Sequence, residues 1–157
     1  MIHLDNGWDW ETQDYWYTTV LGEGLLLTTD FDIMGVSYYP FYNSAATLAS
    51  LKTSLTNMAA TWGKTLVVAE TDWPTSCPDP EYAFPSGTTS IPFSAAGQTT
   101  WVEDITSILN EVSGGAGLFY WEPAWIDNAD LGSSCANNLM VSSTGEALSS
   151  LDVFASI

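Results

Sequence analysis

One pattern recurs four times along the chain: a short apolar run, a polar or aromatic loop, then a segment with helical periodicity. The first run is clipped to Ile2-His3-Leu4 and leads through Asp5-Asn6-Gly7-Trp8-Asp9-Trp10 into a helical stretch ending near Gly22 or Gly24. The second, Phe31 to Tyr39, is stopped by Pro40, which has no backbone N–H to continue a ladder. Ser44 reads as the N-cap of a helix reaching about Trp62, with Leu48, Leu51, Leu55, Met58, Ala59 and Trp62 on one stripe before Gly63. The third run, Leu66 to Ala69, passes directly into Glu70-Thr71-Asp72-Trp73-Pro74. A long loop to about Ala96 precedes a helix with Trp101, Ile105, Ile108, Leu109 and Val112 on one face. The fourth run, Gly117 to Glu122, is closed by Pro123, and a last helix is expected from near Thr144-Gly145-Glu146 to about Phe154.

Short apolar strands alternating with longer helices predict βαβ units and a parallel sheet. Right-handed crossovers between strands in sequential order put every helix on one side. No glycine-rich phosphate turn follows any of the strands, which argues against an open doubly wound nucleotide fold. A full (β/α)₈ barrel takes about 250 residues. Here four units fill all 157. The expected fold is therefore α/β, one half of a (β/α)₈ TIM barrel, with residues 1–157 forming a single partial barrel domain.

Charge narrows the function. Nineteen Asp and Glu face only two cations, Lys52 and Lys64, for a net charge of −17. Such a chain cannot neutralise a phosphate backbone, so nucleic acid is excluded as a partner, and anionic membrane surfaces and polyanions are disfavoured. No apolar stretch has the roughly 18–20 residues of a membrane span. The segment from Met1 to Asn6 lacks a basic n-region and an apolar h-region, so no signal peptide is expected in this chain. Against that, eight Trp, seven Tyr and six Phe make up 13% of the chain, which points to a neutral partner with apolar faces. Cys77 and Cys135, both in loop sequence, match no zinc pattern and read as one disulfide or two free thiols. The disulfide is the favoured reading. It would close about 58 residues, stabilise by about 4 kcal/mol through chain entropy, and imply an oxidising compartment.

Active-site residues of parallel α/β folds gather at the C-terminal ends of the strands. These ends carry His3, Asp5, Asn6, Trp8 and Asp9; then Tyr38, Tyr39 and Tyr42; then Glu70, Asp72 and Trp73; and finally Trp121, Glu122 and Trp125. Aromatic planes pack on sugar rings, carboxylates and amides bond hydroxyls, and glycoside cleavage needs two carboxyl groups about one bond. Glu70, directly after an apolar strand, is the strongest candidate. Glu122 is placed similarly, although Pro123 leaves open whether its side chain turns outward. Trp62 and Trp101 fall on helix stripes and belong to the core; Asp30 and Asp32 bracket a strand start and are structural. Asp127, Asn128, Asp130 and Asn137 form a weak calcium-like set with no recognised spacing, and no metal or cofactor is expected.

Four blocks then carry a resemblance: His3-Leu4-Asp5-Asn6-Gly7-Trp8, Gly35-Val36-Ser37-Tyr38-Tyr39-Pro40, Val68-Ala69-Glu70-Thr71-Asp72-Trp73-Pro74 and Phe119-Tyr120-Trp121-Glu122-Pro123-Ala124-Trp125. In order and over the whole chain they resemble glycoside hydrolase family 53, the fungal arabinogalactan endo-β-1,4-galactanases, in strands five to eight of its barrel. The resemblance implies a retaining hydrolase of β-1,4-galactan, the backbone of type I arabinogalactan in pectin, secreted as a full-length protein. It implies Glu70 as nucleophile and His3, Tyr38 or Tyr39, and Trp121 as active-site positions. Asp5, Asn6, Trp8 and Trp73 become substrate contacts by position, with Glu122 and Trp125 beside them. Cys77 and Cys135 sit where a disulfide would tie the seventh and eighth loops. The family's acid/base, a glutamate after an asparagine on strand four, lies before this stretch. The expected molecule is a fragment carrying the nucleophile half of the site, with little or no activity alone. The alternative is an inactive galactan-binding half-barrel, as a homodimer.

Overall fold

A computed structural model describes residues 1–125, 135 and 137–157. Four strands, β1 (Ile2–Leu4), β2 (Ile33–Ser37), β3 (Thr65–Thr71) and β4 (Gly115–Tyr120), form one parallel sheet in the order β1-β2-β3-β4. The helices α1 (Trp10–Gly22), α2 (Leu48–Trp62) and α3 (Ala95–Glu111) connect successive strands. Sequential order with one helix per crossover is half of a (β/α)₈ barrel.

Alternation sorts the strands into two faces. Met34, Val36, Leu66 and Val68 are fully buried and pack with Tyr17, Leu51, Leu55, Met58, Trp101 and Ile105 from the helices. This is the sealed layer, and Trp62 packs at its margin. The opposite face carries Met1 and Phe119, each 62% exposed, and Trp121 at 42%.

Caps set the helix limits. Asp9 caps α1, Thr47 caps α2 through Ser50 N–H at 2.9 Å, and Ser94 caps α3. The start expected at Ser44 is thus corrected to Thr47. Residues 43–46 are held in a turn instead, by Ala45 N–H donating to Asn43 Oδ1 and by the Tyr38 hydroxyl donating to Ala46 O. Gly63, in the left-handed region at φ 60°, ends α2. The expected last helix is also corrected. Gly145, at φ 88°, closes a turn between Val141 and Ala147, and only Ser149–Ala155 winds, as a 3₁₀ segment. Cys77 and Cys135 form a disulfide with Cα atoms 4.7 Å apart.

Candidate active site

A bulge aims the central carboxylate. On β3, Val68 and Thr71 are fully buried toward the helices, and the Thr71 hydroxyl accepts from the Trp101 indole at 2.8 Å. Ala69 and Glu70 lie between them, with one more residue than β4 offers opposite, and the register with β2 shifts so that Ser37 pairs with Glu70. Strict alternation would turn Glu70 into the helix layer beside Leu66 and Val68. The extra residue re-aims it onto the open face.

There Glu70 meets its neighbours. Ser37 Oγ donates to Glu70 Oε2 at 3.0 Å, and the Tyr39 hydroxyl donates to the same oxygen at 2.9 Å. His3 Nε2 lies 2.9 Å from Ser37 Oγ, and His3 Nδ1 stands 4.0 Å from Glu70 Oε1. Burial, then the Asp72 carboxyl and the bond to Glu70, push the Tyr39 phenol well above its usual range, so it stays a donor. The Glu70 side chain remains 21% exposed.

Two clefts meet at this carboxylate. One, of about 370 Å³, is lined by Asp5, Asn6, Trp8, Ser37, Tyr39, Tyr42 and Glu70. The other, of about 440 Å³, is lined by Met1, His3, Ala69, Glu70, Phe119, Tyr120, Trp121 and Glu122. Glu70 is common to both. The first wall depends on Gly7. Its N–H donates to Ser37 O at 2.9 Å, and a Cβ there would fall 2.4 Å from Val36 Cβ. Gln13, buried in α1, donates to the Asp5 and Asn6 carbonyls at 2.7 and 3.2 Å, holding that loop from behind. Asn6 and Glu122 both adopt positive φ, 48° and 41°, at the tips of β1 and β4.

Not every expected residue arrives there. Tyr38 is fully buried on the helix face, stacked on Trp101 at 5.2 Å. Met34, Val36 and Tyr38 share one face of β2, so Tyr39 is the tyrosine that reaches Glu70. Trp73 is corrected too: it is fully buried, its indole donates to Pro92 O at 2.9 Å, and it packs on Phe84, Phe93 and Trp101. Trp125 is half-buried and lines neither cleft. Asp127, Asn128 and Asp130 lie outside the described residues; Asn137 is exposed. The chain's Asn110-Glu111 pair ends α3, where Glu111 bonds Lys52 far from the strand tips. Ser37 went unnoticed in the sequence, although Gly35, Ser37 and Tyr39 fall on one face by alternation.

Beneath the site a buried polar knot ties the strand ends together. Gln98 Nε2 donates to the carbonyls of Trp73, Asn138 and Leu139, and its Oε1 accepts from Ser150 at 2.6 Å. The Tyr120 hydroxyl sits within 2.7 Å of Asn138 O and 3.0 Å of Trp73 O. Asp72, 2% exposed, accepts from Asn138 Nδ2 at 3.2 Å, while its Oδ1 has no hydrogen-bond partner among the described residues. Burial raises its carboxyl well above the usual range; the Asn138 bond opposes this and the Glu70 charge adds to it. Among the described residues no cluster of three or more His, Cys, Asp or Glu is placed to hold a metal ion, and no helix is long and apolar enough to cross a membrane.

Comparison with known proteins agrees with this geometry. Residues 1–154 match the model of "Glycosyl hydrolase family 53". The arabinogalactan endo-beta-1,4-galactanase of Thermothelomyces thermophilus is 63% identical over 157 residues, all of this chain and 47% of that protein. Arabinogalactan endo-beta-1,4-galactanase A of Aspergillus niger is 64% identical over 155 residues, 98% of this chain and 44% of that protein. A solved structure from a study of two fungal beta-1,4-galactanases superposes at TM-score 0.97 with 63% identity, over 100% of this chain and 47% of that one. The Ignisphaera aggregans GH53 catalytic domain, at 24% identity and TM-score 0.73, shares the fold. The chain spans about half the length of the curated relatives it matches.

Proposed function

The chain belongs to glycosyl hydrolase family 53, and from that premise we propose that it supplies the nucleophile half of a retaining endo-β-1,4-galactanase acting on type I arabinogalactan. The observation that carries this is Glu70. It is an acidic side chain turned onto the open face by a bulge, held at one oxygen by two hydroxyl donors, and placed where two clefts join. Oε2 is anchored, while Oε1 has no hydrogen bond among the described residues. Oε1 therefore attacks the anomeric carbon, and the bond to the leaving galactosyl oxygen breaks. The leaving oxygen takes its proton from an acid that we assign to the family's asparagine–glutamate position, outside these residues. Water then cleaves the glycosyl ester and restores the carboxylate. Trp8 and Tyr42 wall one cleft and Trp121 the other, as aromatic platforms for neutral sugar rings, with Asp5, Asn6, His3 and Glu122 as hydroxyl partners. The disulfide supports placing the protein in an oxidising, extracellular setting.

The test avoids the need for an acid. A 2-fluoro-galactoside with a dinitrophenolate leaving group requires no protonation to depart. The 157-residue chain is expected to gain one fluorogalactosyl mass on the peptide containing Glu70, and Glu70→Gln to gain none. A label on another residue contradicts the assignment. Without an activated leaving group, galactan turnover by this chain is expected to be negligible.

A second reading rests on the open edges. β1 and β4 are the outermost strands, and Met1, Phe119 and Trp121 stand exposed between them. Unpaired strand edges beside an apolar face favour pairing with another copy. In this reading the chain binds galactan as an inactive half-barrel dimer. A sedimentation mass of two chains, with galactan retained and Glu70 unlabelled, would favour it over the first.

A further inference from the structure

We propose that Ser37 is a positioning residue that sets the proton arrangement of the site: its hydroxyl clamps Glu70 Oε2 and compels His3 to carry its proton on Nε2, leaving Nδ1 as an acceptor beside Oε1. The inference deepens the galactanase reading and rests on Glu70 as nucleophile only for its catalytic consequence. The proton count itself stands on geometry.

Ser37 Oγ lies between two groups, 2.9 Å from His3 Nε2 and 3.0 Å from Glu70 Oε2. An ionised carboxylate only accepts, and a serine hydroxyl has one hydrogen to give. If that hydrogen went to His3, Oγ and Oε2 would face each other as two acceptors at 3.0 Å. Given to Glu70 it satisfies both contacts, provided Nε2 carries a proton and donates to Oγ. Ser37 is 7% exposed, which leaves little room for water to make up a lost bond. For a neutral imidazole, the Nε2–H to Oγ–H to Oε2 chain is therefore the arrangement in which both Ser37 contacts are hydrogen bonds.

Two consequences follow for the reaction. Oε2, bonded by Ser37 and by Tyr39, is held as the oxygen that does not attack. Nδ1, 4.0 Å from Oε1, presents a lone pair to the cleft. A sugar hydroxyl next to the anomeric carbon has a hydrogen to give it, so the tautomer selects a donor at that point of the substrate.

His3 is the sole histidine of the chain, so the nitrogen spectrum of a ¹⁵N-histidine-labelled sample reports one ring. At a pH where the ring is neutral, the 157-residue protein is expected to show protonated Nε2 and bare Nδ1. Ser37→Ala is expected to lower the ratio of Nε2–H to Nδ1–H forms about fivefold, the equivalent of one ordinary hydrogen bond. Ser37→Thr, which keeps a hydroxyl, is expected to restore the ratio. A wild-type ring protonated mainly on Nδ1, or a ratio that Ser37→Ala leaves unchanged, would overturn the proposal. Labelling by the activated fluorogalactoside is followed on the same samples, with Ser37→Ala expected to slow it and Ser37→Thr to recover it. If wild type takes no label at Glu70, the nucleophile reading fails while the tautomer result still decides the role of Ser37.

Discussion

The two faces of the sheet are built from the same four strands and do opposite work. The helix side has Tyr38, Thr71, Trp73 and Trp101 with no measurable exposure, and their hydroxyl and indole groups are spent on fixed internal partners. The other side holds a carboxylate with one oxygen anchored and the other without a hydrogen bond among the described residues, between exposed aromatic rings. Neighbouring residues part ways: Tyr38 to the core and Tyr39 to the site, Thr71 to the core and Glu70 to the site. Aromatic and polar content does not distinguish the faces. Whether the partners are internal does.

Truncating a ring on the closed face should have the largest effect. Trp101→Ala removes the stack on Tyr38 and the bond to Thr71, and is expected to cost about 3–5 kcal/mol, read as a drop in the denaturant midpoint. A loss below about 1 kcal/mol would mean the layer is not packed as described.

The polar knot should show the next effect, as a dependence on pH. Asp72 has a folded pKa raised above its unfolded value of about 3.9. Its contribution is therefore fully present below that unfolded value and is lost as pH rises toward the raised folded pKa. Stability should fall from pH 4 toward 7, partly through repulsion among the other carboxylates of a chain of net charge −17. Asp72→Asn removes only the Asp72 share, so the gap between the thermal midpoints at pH 4 and pH 7 should narrow. An unchanged gap would place Asp72 in water.

On the open face the expected stability effect is smallest. Trp121, 42% exposed, should be replaceable by Ala within about 0.5 kcal/mol while sugar binding weakens. A large loss of stability would show that this face is packed in solution, as the dimer reading requires.

Much of this is legible in the sequence, and the gaps have physical causes. The alternation of four strands with helices and the stripes of α2 and α3 are periodic features, so the parallel half-barrel is legible, whereas the last expected helix winds only as the 3₁₀ segment Ser149–Ala155. Glu70 stood out by its place after an apolar run, but its direction depends on a bulge, and alternation alone sends it the wrong way. Sequence alone leaves Tyr38 and Tyr39 ambiguous; the burial of Tyr38 against Trp101 and the bond from Tyr39 to Glu70 separate them. Trp73 reads as a loop platform because the sequence does not show that Phe84 and Phe93, eleven and twenty residues on, fold back over it. Ser37 is not marked by the sequence because a lone serine gains meaning only from what stands on either side of it.

The difference between the faces can be read in one spectrum. The indole N–H signals of the eight tryptophans are assigned and followed as a β-1,4-galacto-oligosaccharide is added. Trp8 and Trp121 should shift together and saturate at one affinity, while Trp73 and Trp101 stay fixed. Movement of Trp73 or Trp101 with Trp8 and Trp121 unmoved would contradict the assignment of the open face as the sugar site.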